Sequence, residues 1–372
     1  MKDAITNRLH GIRKARGLSA AELARHASVS RQTIHAIEAG AYVPNTAVAL
    51  RLANLLETTV EEIFELPPAG SPKPRKLRAA LLSQAPMMAG APVRVCQMAG
   101  KPVAVPVLAA PHCLPEADAT VARALRGAWV DLSVITDAAG DGKAVLVAGC
   151  DPAIGLLTRE ARRYAGVDLI AAAASSRLAL RWLRQGKVHI AGTHLRDQAT
   201  GEFNLPFLRR EFAGEDLAII TFANWEEGFV TAPGNPLGIR TAGDLARPGL
   251  RMVNREQGAG SRALLDRLLK GAGLAPALVS GYDRLAHGHL AAAYAVYRGE
   301  ADCCIATRSA ALAFGLGFVP LEQERYDFVL RRESLQLQPA QAVLDTLQRS
   351  SLRRRLESQA GYETARTGDS LA

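Results

Sequence analysis

Five short helical segments, each with its own start signal, are crowded into residues 5–65, and this spacing restricts that part of the chain to a small helical domain. In the first segment, Ile5, Leu9 and Ile12 recur at the helical spacing, and a glycine follows its basic last turn. Each later segment begins with a side chain that can cap a helix: Ser19, Ser30, Asn45 and Thr59. Glu22 and Glu62 complete capping boxes with two of these residues. The pattern therefore predicts an all-α domain of five helices.

The second and third helices are separated only by the tight turn Ser28-Val29-Ser30. Two short helices joined in this way are typical of a helix-turn-helix. On these residues, segment 6–66 resembles the phage-repressor (Cro-like, Xre) DNA-binding domain. The resemblance runs through GLSAAELARHASVSRQTIHAIEAGAYVPNTAVALRLANLLETTVEEIF, and SRQTIHAIEAG is its most specific part. Ala20 departs from the family, which usually has a glutamine there that contacts the DNA backbone, so the affinity for DNA is expected to be lower.

The helix-turn-helix implies two sets of DNA contacts. Side chains at the start of the third helix are expected to read base edges in the major groove: Arg31, Gln32, Thr33 and His35. Other side chains are expected to hold phosphates and so to fix the register: Ser30, Arg8, Arg13 and Lys14. Ile34 and Ile37 are expected in the core, and Glu38 is expected to pair with a nearby arginine. The alternative is a helical bundle of the same fold that binds protein.

The charge distribution supports a polyanionic partner. The chain of 372 residues has a net charge of +9, and residues 1–56 alone contribute +5. A local basic excess of this kind is the usual footprint of nucleic acid binding, although many solvated helices share it. Because helix-turn-helix proteins commonly bind two-fold related sites, a homodimer on double-stranded DNA is expected.

Composition favours a globular cytoplasmic protein of two or three domains. Of the residues, 48% are hydrophobic and 22% are charged. No apolar run reaches the ~18 residues of a membrane helix, and the N-terminus lacks the core of a signal peptide. The five cysteines form no CxxC pair, which suits a reducing compartment. We therefore expect a cytoplasmic protein without a membrane partner.

After the helical domain the sequence first becomes rich in proline and basic residues, and then takes on a β-strand pattern. Residues 65–78 (ELPPAGSPKPRKLR) are rich in proline and basic residues, which predicts a linker, assigned here to residues 67–92. From Val93, the stretches VRVCQ and PVAVPVL flank a turn and predict a hairpin, and Trp129–Val134 predicts a further strand. Residues 93–142 are therefore expected to form a small β-rich adaptor.

Strands and helices alternate from residue 143 onward, which predicts a parallel-type α/β domain over 143–372. Expected strands are AVLVAG, VDLIAAAA, VHIAGTH, AIITFA, GFVTAP, LRMVN and ADCCIA, followed by a long terminal helical stretch. Where strands end and helices begin, the chain repeatedly places small hydroxyls or glycines. Converging helix N-termini of this kind can bind an anion without a buried cation.

Residues 143–372 resemble the periplasmic-binding-protein-like sensor domain that is fused to transcription-factor heads. The matching stretches are GCDPAIGLL, VHIAGTHLRD, GFVTAPGNPLGI, DLARPGLRMVNREQGAGSR, GHLAAAYAV and GLGFVPLEQERYDFV. The resemblance implies a two-lobed α/β domain with ligand in the cleft and chain crossings near Asn224–Gly228 and Leu321–Tyr326. Relatives are commonly described as molybdate-binding-like, so molybdate or tungstate is the first expected ligand.

The ligand residues allow more than one anion. Neutral donors suited to a dehydrated tetrahedral oxyanion are Ser175, Ser176, Thr193 and Ser261, with Gly258 and Gly260 at the same junctions. Arg177, Arg255 and Arg262 stand beside them and could instead clamp a carboxylate or phosphate. Further residues expected at the site are Asp151, His194 and Asn254, and His194 and Tyr282 could recognise something larger than an oxyanion.

No metal, cofactor or catalytic role is assigned. His287 and His289 have no cysteine or carboxylate neighbour at ligand spacing in the sequence, and Cys303-Cys304 is expected to be buried packing. No nucleophile or metal-hydrolase motif is present, and no Cys/His pair stands at a spacing typical of catalysis. The sequence predicts a ligand-responsive transcription regulator, with an enzyme-derived C-terminal domain as the alternative.

Overall fold

The computed structural model describes residues 5–65, 75–83, 85–107, 115–136 and 143–371. The chain forms two compact units, residues 1–75 and residues 76–372. Within the described ranges, no helix is both long enough and apolar enough to span a membrane.

The first unit is the predicted five-helix domain. Its elements in the described residues 5–65 are β1 (Thr6–Asn7), α1 (Leu9–Ala15), α2 (Ala20–Ala27), α3 (Arg31–Glu38), α4 (Thr46–Leu55), α5 (Val60–Ile63) and β2 (Phe64–Glu65). Ser19 and Thr59 form capping boxes, and Ser30 and Asn45 cap their helices as predicted. β1 pairs with β2, so the two ends of the domain meet. Leu9, Leu23, Ile34, Ile37, Leu52 and Ile63 lie in one apolar core.

Arg13 occupies a different place from the one expected. Its side chain is buried, and its Nε donates to Glu38 Oε1 over 2.6 Å while Nη1 donates to the Leu18 carbonyl over 2.8 Å. Arg13 is therefore the nearby arginine with which Glu38 was expected to pair. Its buried guanidinium does not face the surface where a phosphate would bind. The reason is helical spacing, since Arg13 follows the core residue Leu9 by one turn and faces the same side of α1.

The second unit begins with a closed five-stranded β-barrel. Its strands are β3 (Lys76–Leu81), β4 (Pro92–Met98), β5 (Lys101–Pro106), β6 (Ala119–Ala124) and β7 (Trp129–Val134), in the order β3-β5-β4-β6-β7. The predicted hairpin is β4–β5, and the predicted strand at Trp129 is β7. The linker expected over 67–92 is wrong at its C-terminal end, because β3 lies within it. Leu77, Ala79 and Leu81 alternate with outward residues and enter the barrel core. Lys73, one of the basic residues of the predicted linker, lies outside the described residues.

The barrel and the first lobe of the following α/β domain share an apolar core. That lobe is built from β8 (Ala144–Gly149), α6 (Ile154–Ala165), β9 (Asp168–Ala173), α7 (Ser176–Arg184), β10 (Ile190–Thr193) and α8 (Leu205–Glu211). β8 pairs in parallel with β9 and β10, as the alternation predicts. Cys96, Met98 and Val105 of the barrel belong to the same cluster as Leu146 and Ile170 of the lobe.

Two long strands connect the lobes, and the sequence did not predict their length. β11 (Leu217–Thr231) joins the two strands expected at AIITFA and GFVTAP into one. β15 (Gly317–Arg331) occupies part of the stretch expected to be helical. The strands pair antiparallel along their whole length, so the sheet is mixed rather than purely parallel. The segments expected to cross between lobes pair with each other, with Trp225 opposite Glu324.

The second lobe packs around the far ends of these strands. Its elements are β12 (Asn254–Arg255), α9 (Gly260–Gly271), β13 (Leu285–Ala286), α10 (His289–Tyr297), β14 (Cys303–Thr307) and α11 (Arg308–Ala313). β14 pairs with β11 at the edge of the sheet, and Cys303 and Cys304 are buried, as predicted. The chain then returns to the first lobe as α12 (Gln338–Leu347), α13 (Ser350–Glu357) and β16 (Tyr362–Glu363), which pairs with β11 at the crossing.

A buried histidine gives this unit a pH-dependent stability. His189 Nδ1 accepts a hydrogen bond of 3.0 Å from the backbone N–H of Leu146, and burial lowers the pKa of His189 to about 4. Protonation therefore favours the unfolded chain, so the contribution is complete above the ordinary pKa of ~6.5 and is lost as the pH falls from there toward about 4.

We expect His189→Asn, which keeps an acceptor oxygen, to reduce this pH dependence. Between pH 7 and pH 4, the wild type should lose about 3 kcal/mol more of its free energy of unfolding than the variant. Urea unfolding followed by tryptophan fluorescence measures it, because Trp129, Trp182 and Trp225 all lie in the second unit. A difference between the two proteins that does not change with pH would contradict the expectation.

Candidate functional site

The predicted DNA-reading face of α3 is exposed. Arg31, Gln32 and His35 are exposed and Thr33 is half-buried, while Ile34 and Ile37 are buried as predicted. Arg31 Nε donates to His35 Nε2 over 3.3 Å, which aligns the two side chains along the helix. Ser30 Oγ accepts the Thr33 N–H over 3.0 Å, so this hydroxyl already caps the helix. The start of α3 therefore presents a polar, basic surface.

Two of the predicted phosphate contacts are also exposed. Lys14 lies on the outer side of α1, and Arg8 pairs with Glu65 over 2.7 Å in a solvent-exposed ion pair. Exposed pairs of this kind contribute little stability and exchange readily for another anion. Arg8 and Lys14 therefore stay available for phosphate, in contrast to Arg13.

The second unit contains a cleft of about 770 Å³ between its two lobes. One wall comes from α7, α8 and the loop after β10, and the other from α9 and the loops before it. The cleft is lined by five arginines: Arg177, Arg196, Arg210, Arg262 and Arg267. This volume lies in the range of sites for small organic molecules and is large for one tetrahedral oxyanion.

Only two of these arginines lack a carboxylate partner among the described residues. Arg196 and Arg267 both pair with Glu322, and Arg210 lies 3.8 Å from Asp197. The guanidinium of Arg177, by contrast, lies 4.9 Å from the Phe207 ring centre. That of Arg262 lies 4.5 Å from the Tyr282 ring centre. Arg262 Nη1 also donates to the Arg255 carbonyl over 3.3 Å. Stacking holds both guanidiniums in place, and their remaining N–H groups suit a carboxylate or phosphate.

The N-termini of α7 and α9 meet across the cleft. The backbone N–H of Arg177 donates to the Gly258 carbonyl over 3.3 Å. Gly258 has φ +89, a conformation that favours glycine, and Gly260 packs against His194 with no room for a side chain. The two glycines predicted at this junction therefore let the lobes approach at the backbone. The lobes are in contact at this point.

The neutral donors expected to bind an oxyanion are all buried, and most have internal partners. Thr193 Oγ1 donates to Asn204 Oδ1 over 3.2 Å, and Ser261 Oγ donates to Glu227. Ser176 Oγ accepts the N–H of His194 over 3.2 Å, which leaves its own proton to donate. The guanidiniums of Arg177 and Arg262 line the cleft and are therefore better placed to bind a ligand than these buried hydroxyls.

Three other expected ligand residues support the structure around the cleft. Asp151 accepts from Tyr362 OH over 2.5 Å and from the Ala153 N–H over 2.7 Å, and burial raises its pKa to about 7. Asn254 donates to the Tyr282 carbonyl over 3.0 Å. Arg255 is fully buried and forms a two-pronged pair with Glu256 over 2.9 and 3.0 Å. Arg255 Nη1 has no hydrogen-bond partner, but Arg255 is not among the residues that line the cleft, so it is not placed to clamp a ligand there as the sequence suggested.

Tyr326 fixes the base of the cleft by lying across two glycines. A Cβ on Gly149 would lie 2.1 Å from the Tyr326 hydroxyl oxygen, and one on Gly192 would lie 2.0 Å from it. The backbone N–H of Cys150 donates to the same oxygen over 3.1 Å. The absence of side chains at both glycines is thus what lets the tyrosine position Cys150.

The structure brings together a cysteine, two histidines and two glutamates that the sequence left apart. Cys150 Sγ lies 3.3 Å from His194 Nε2, and His194 Nδ1 contacts Glu324. His289 Nδ1 lies 3.6 Å from Glu227 Oε1. Sequence spacing showed no cysteine or carboxylate neighbour for His289 and no Cys/His pair, and the fold supplies both from distant parts of the chain. Such an arrangement can hold a soft metal ion or place a thiol beside an imidazole.

Burial dominates the electrostatics of this group. Burial raises the pKa of Glu324 to about 7, and burial with the charge of Glu324 raises the pKa of Glu227 well above its ordinary value. The pKa of His289 is lowered well below its ordinary value by burial and by the charge of Arg255. For His194, burial lowers the pKa, but contact with Cys150 and the charge of Glu227 together raise it above its ordinary value. His289 is therefore a neutral imidazole.

Family comparisons assign both units. A model of the PBP superfamily domain matches residues 157–348, and a helix-turn-helix domain model matches residues 4–66. The uncharacterized protein YvgK of Bacillus subtilis (strain 168) is 34% identical over 235 residues, which are 63% of this chain and 76% of that protein. The HTH-type transcriptional regulator MJ0272 of Methanocaldococcus jannaschii, also uncharacterized, is 40% identical over 58 residues, or 16% of this chain and 88% of that protein.

Solved structures resemble the second unit more distantly. The sulfate-binding protein SubI of Mycobacterium tuberculosis matches with a TM-score of 0.43 and 19% identity, over 59% of this chain and 86% of that one. Peb3 of Campylobacter jejuni matches with a TM-score of 0.39 and 16% identity, over 59% of this chain and 99% of that one.

Proposed function

The chain belongs to the PBP superfamily and carries a helix-turn-helix domain at its N-terminus, and on that basis we propose that it is a transcription regulator whose DNA binding responds to a small anion. The helix-turn-helix binds operator DNA, as a homodimer on two-fold related half-sites. The two-lobed cleft binds the anion. MJ0272, which shares the N-terminal domain, is described as an HTH-type transcriptional regulator, and this supports the regulatory role.

The observation that carries the ligand class is the pair of guanidiniums on opposite walls of the cleft. Arg177 and Arg262 have no carboxylate partner among the described residues, and each lies on an aromatic ring. We infer that they close on a carboxylate or phosphate group of a small organic molecule. Molybdate or tungstate, which the sequence suggested first, would instead need the neutral donors, of which Thr193 and Ser261 already donate internally.

Thermal unfolding of the full chain with molybdate, tungstate, sulfate, phosphate and small carboxylates tests the ligand class. A ligand at 100 times its dissociation constant adds ~2.7 kcal/mol, which shifts the unfolding temperature by several degrees. We expect Arg177→Ala with Arg262→Ala to abolish the shift. Arg159→Ala, an exposed arginine of α6 outside the cleft, should leave it unchanged. A shift with molybdate or tungstate that survives loss of both arginines would contradict the guanidinium clamp.

Operator binding with and without the stabilising anion tests the regulatory part. Sites selected from random DNA should show two half-sites, and the anion should change their affinity by about 5–150-fold, the usual range of allosteric coupling. Gln32→Ala should relax sequence preference at one position of each half-site, whereas Lys14→Ala should weaken all sequences alike. An affinity that the anion leaves unchanged would contradict the regulatory proposal.

A further inference from the structure

A second group of side chains lies at the base of the cleft and is not used by the proposed anion clamp. Cys150 follows β8, His194 follows β10 and His289 begins α10. One ligand atom from each of them lies within 4.8 Å of the others. The thiol and the two imidazoles therefore converge on one point although they come from three separate elements and both lobes.

Each histidine has a carboxylate at its Nδ1. Glu324 contacts His194 Nδ1, and Glu227 Oε1 lies 3.6 Å from His289 Nδ1. At His194 this contact holds the proton on Nδ1 and leaves Nε2 as a lone-pair donor, whereas the 3.6 Å between His289 and Glu227 is longer than a hydrogen bond. Histidines that bind metals are oriented in this way by outer carboxylates or carbonyls. His194 is thus oriented as metal-binding histidines are, and Glu227 stands near the corresponding nitrogen of His289.

His289 lacks any partner for its polar atoms. Neither of its ring nitrogens has a hydrogen bond, and Glu227 Oε2 also has none, although both residues are buried. An unpaired buried polar group is unfavourable because it has given up its hydrogen bonds to water. A bound ion would satisfy a lone pair of His289 and would draw Nδ1 into hydrogen-bond range of Glu227.

We propose that Cys150, His194 and His289 bind one divalent transition-metal ion of the Zn²⁺ class. Zinc lies about 2.3 Å from a thiolate and about 2.0–2.1 Å from an imidazole, so two ligands of a tetrahedral site are about 3.5 Å apart. The 3.3 Å between Cys150 Sγ and His194 Nε2 agrees with that spacing. Cys150 loses its proton to solvent when the ion binds.

Access favours the ion. His194 and Glu324 line the cleft, which supplies an entry path. This site goes beyond the proposed anion clamp and uses none of its arginines.

Metal titration of the full chain tests the proposal. After treatment with a chelator, Co²⁺ is added as a spectroscopic probe and Zn²⁺ is then used to displace it. We expect one Co²⁺ per chain with a thiolate-to-cobalt charge-transfer band. In Cys150→Ser the band should be lost, and in Cys303→Ser, a buried cysteine in the apolar core of the second lobe, it should be kept.

A variant with a partial effect distinguishes loss of metal binding from loss of folding. Glu324→Gln keeps a hydrogen-bond acceptor for His194 but removes the charge, and it should weaken Zn²⁺ binding by about 10–100-fold. Absence of the band in a wild-type chain that unfolds cooperatively would overturn the proposal, as would a band that survives in Cys150→Ser. Because the readout involves neither anion nor DNA, failure of the regulatory proposal would leave this result unaffected.

Discussion

Gly192→Ala is expected to cost the second unit about 3 kcal/mol or more of its free energy of unfolding. The added Cβ would lie 2.0 Å from the hydroxyl oxygen and 2.5 Å from the ring of Tyr326. Tyr326 is fully buried, and Gly149 confines it in the same way, so the ring cannot move aside. Urea unfolding followed by tryptophan fluorescence measures the loss.

A matched control is available on the neighbouring helix. Gly155 lies in α6 and has nothing within 4 Å of its Cβ position, so Gly155→Ala should be neutral or stabilise by about 0.5–1 kcal/mol. Combining Gly192→Ala with Tyr326→Leu should cost less than the sum of the single changes, because the smaller side chain removes the overlap. Strict additivity would show that the tyrosine is not the cause.

Gly260→Ala is expected to hold the two lobes apart. Its Cβ would lie 2.5 Å from the His194 ring and 2.9 Å from the His194 carbonyl oxygen. His194 belongs to the first lobe and Gly260 to the second, so the overlap is relieved by opening the cleft. An overlap that costs closure about 3 kcal/mol lowers the equilibrium constant between the closed and open forms by more than a hundredfold. The affinity for a clamped anion falls in proportion to the closed population.

Hydrogen exchange at the Arg177 amide reports this opening without any ligand, since that N–H bonds across the cleft to Gly258. Exchange should be at least tenfold faster in Gly260→Ala than in the wild type. Gly271→Ala, at the other end of the same helix with nothing within 4 Å, should match the wild type. Equal protection of Arg177 in all three proteins would show that the helix adapts instead.

Helix starts could be predicted well from the sequence because the interactions that form them are local. A Ser, Thr or Asn side chain bonds an amide two or three residues away, so the caps at Ser19, Ser30, Asn45 and Thr59 are visible without the fold. The position of Arg13 was also visible in principle. It stands four residues after the core residue Leu9 and so lies on the same face of α1. The prediction assigned it to a phosphate because of its positive charge and did not use this spacing.

The long strands were missed because their middles are polar. β11 carries Asn224, Glu226 and Glu227 between two apolar stretches, and a register shift follows Glu227. Those residues lie where the strand passes between lobes and faces the site. The sequence pattern therefore predicts two strands where the structure has one continuous strand, β11.

The cysteine–histidine group could not be found from the sequence because its members are distant in the chain. Cys150 and His194 are 44 residues apart, and His194 and Glu324 are 130 apart. Only the pairing of β10 and β15 in the sheet brings the last two together. The position of Cys150 and His194 at strand ends was the only signal in the sequence. It indicated where a site lies, but not that a thiol and an imidazole meet there.

The core shared by the barrel and the first lobe sets where the chain can be cut. Cys96, Met98 and Val105 cover Leu146 and Ile170, and Arg94 of β4 bonds Asp168 of β9. A fragment that begins at residue 143 would leave that face of the sheet bare, and bare apolar surface of this size promotes aggregation. The smallest fragment of the second unit that keeps this face covered therefore begins at residue 76, with the barrel attached.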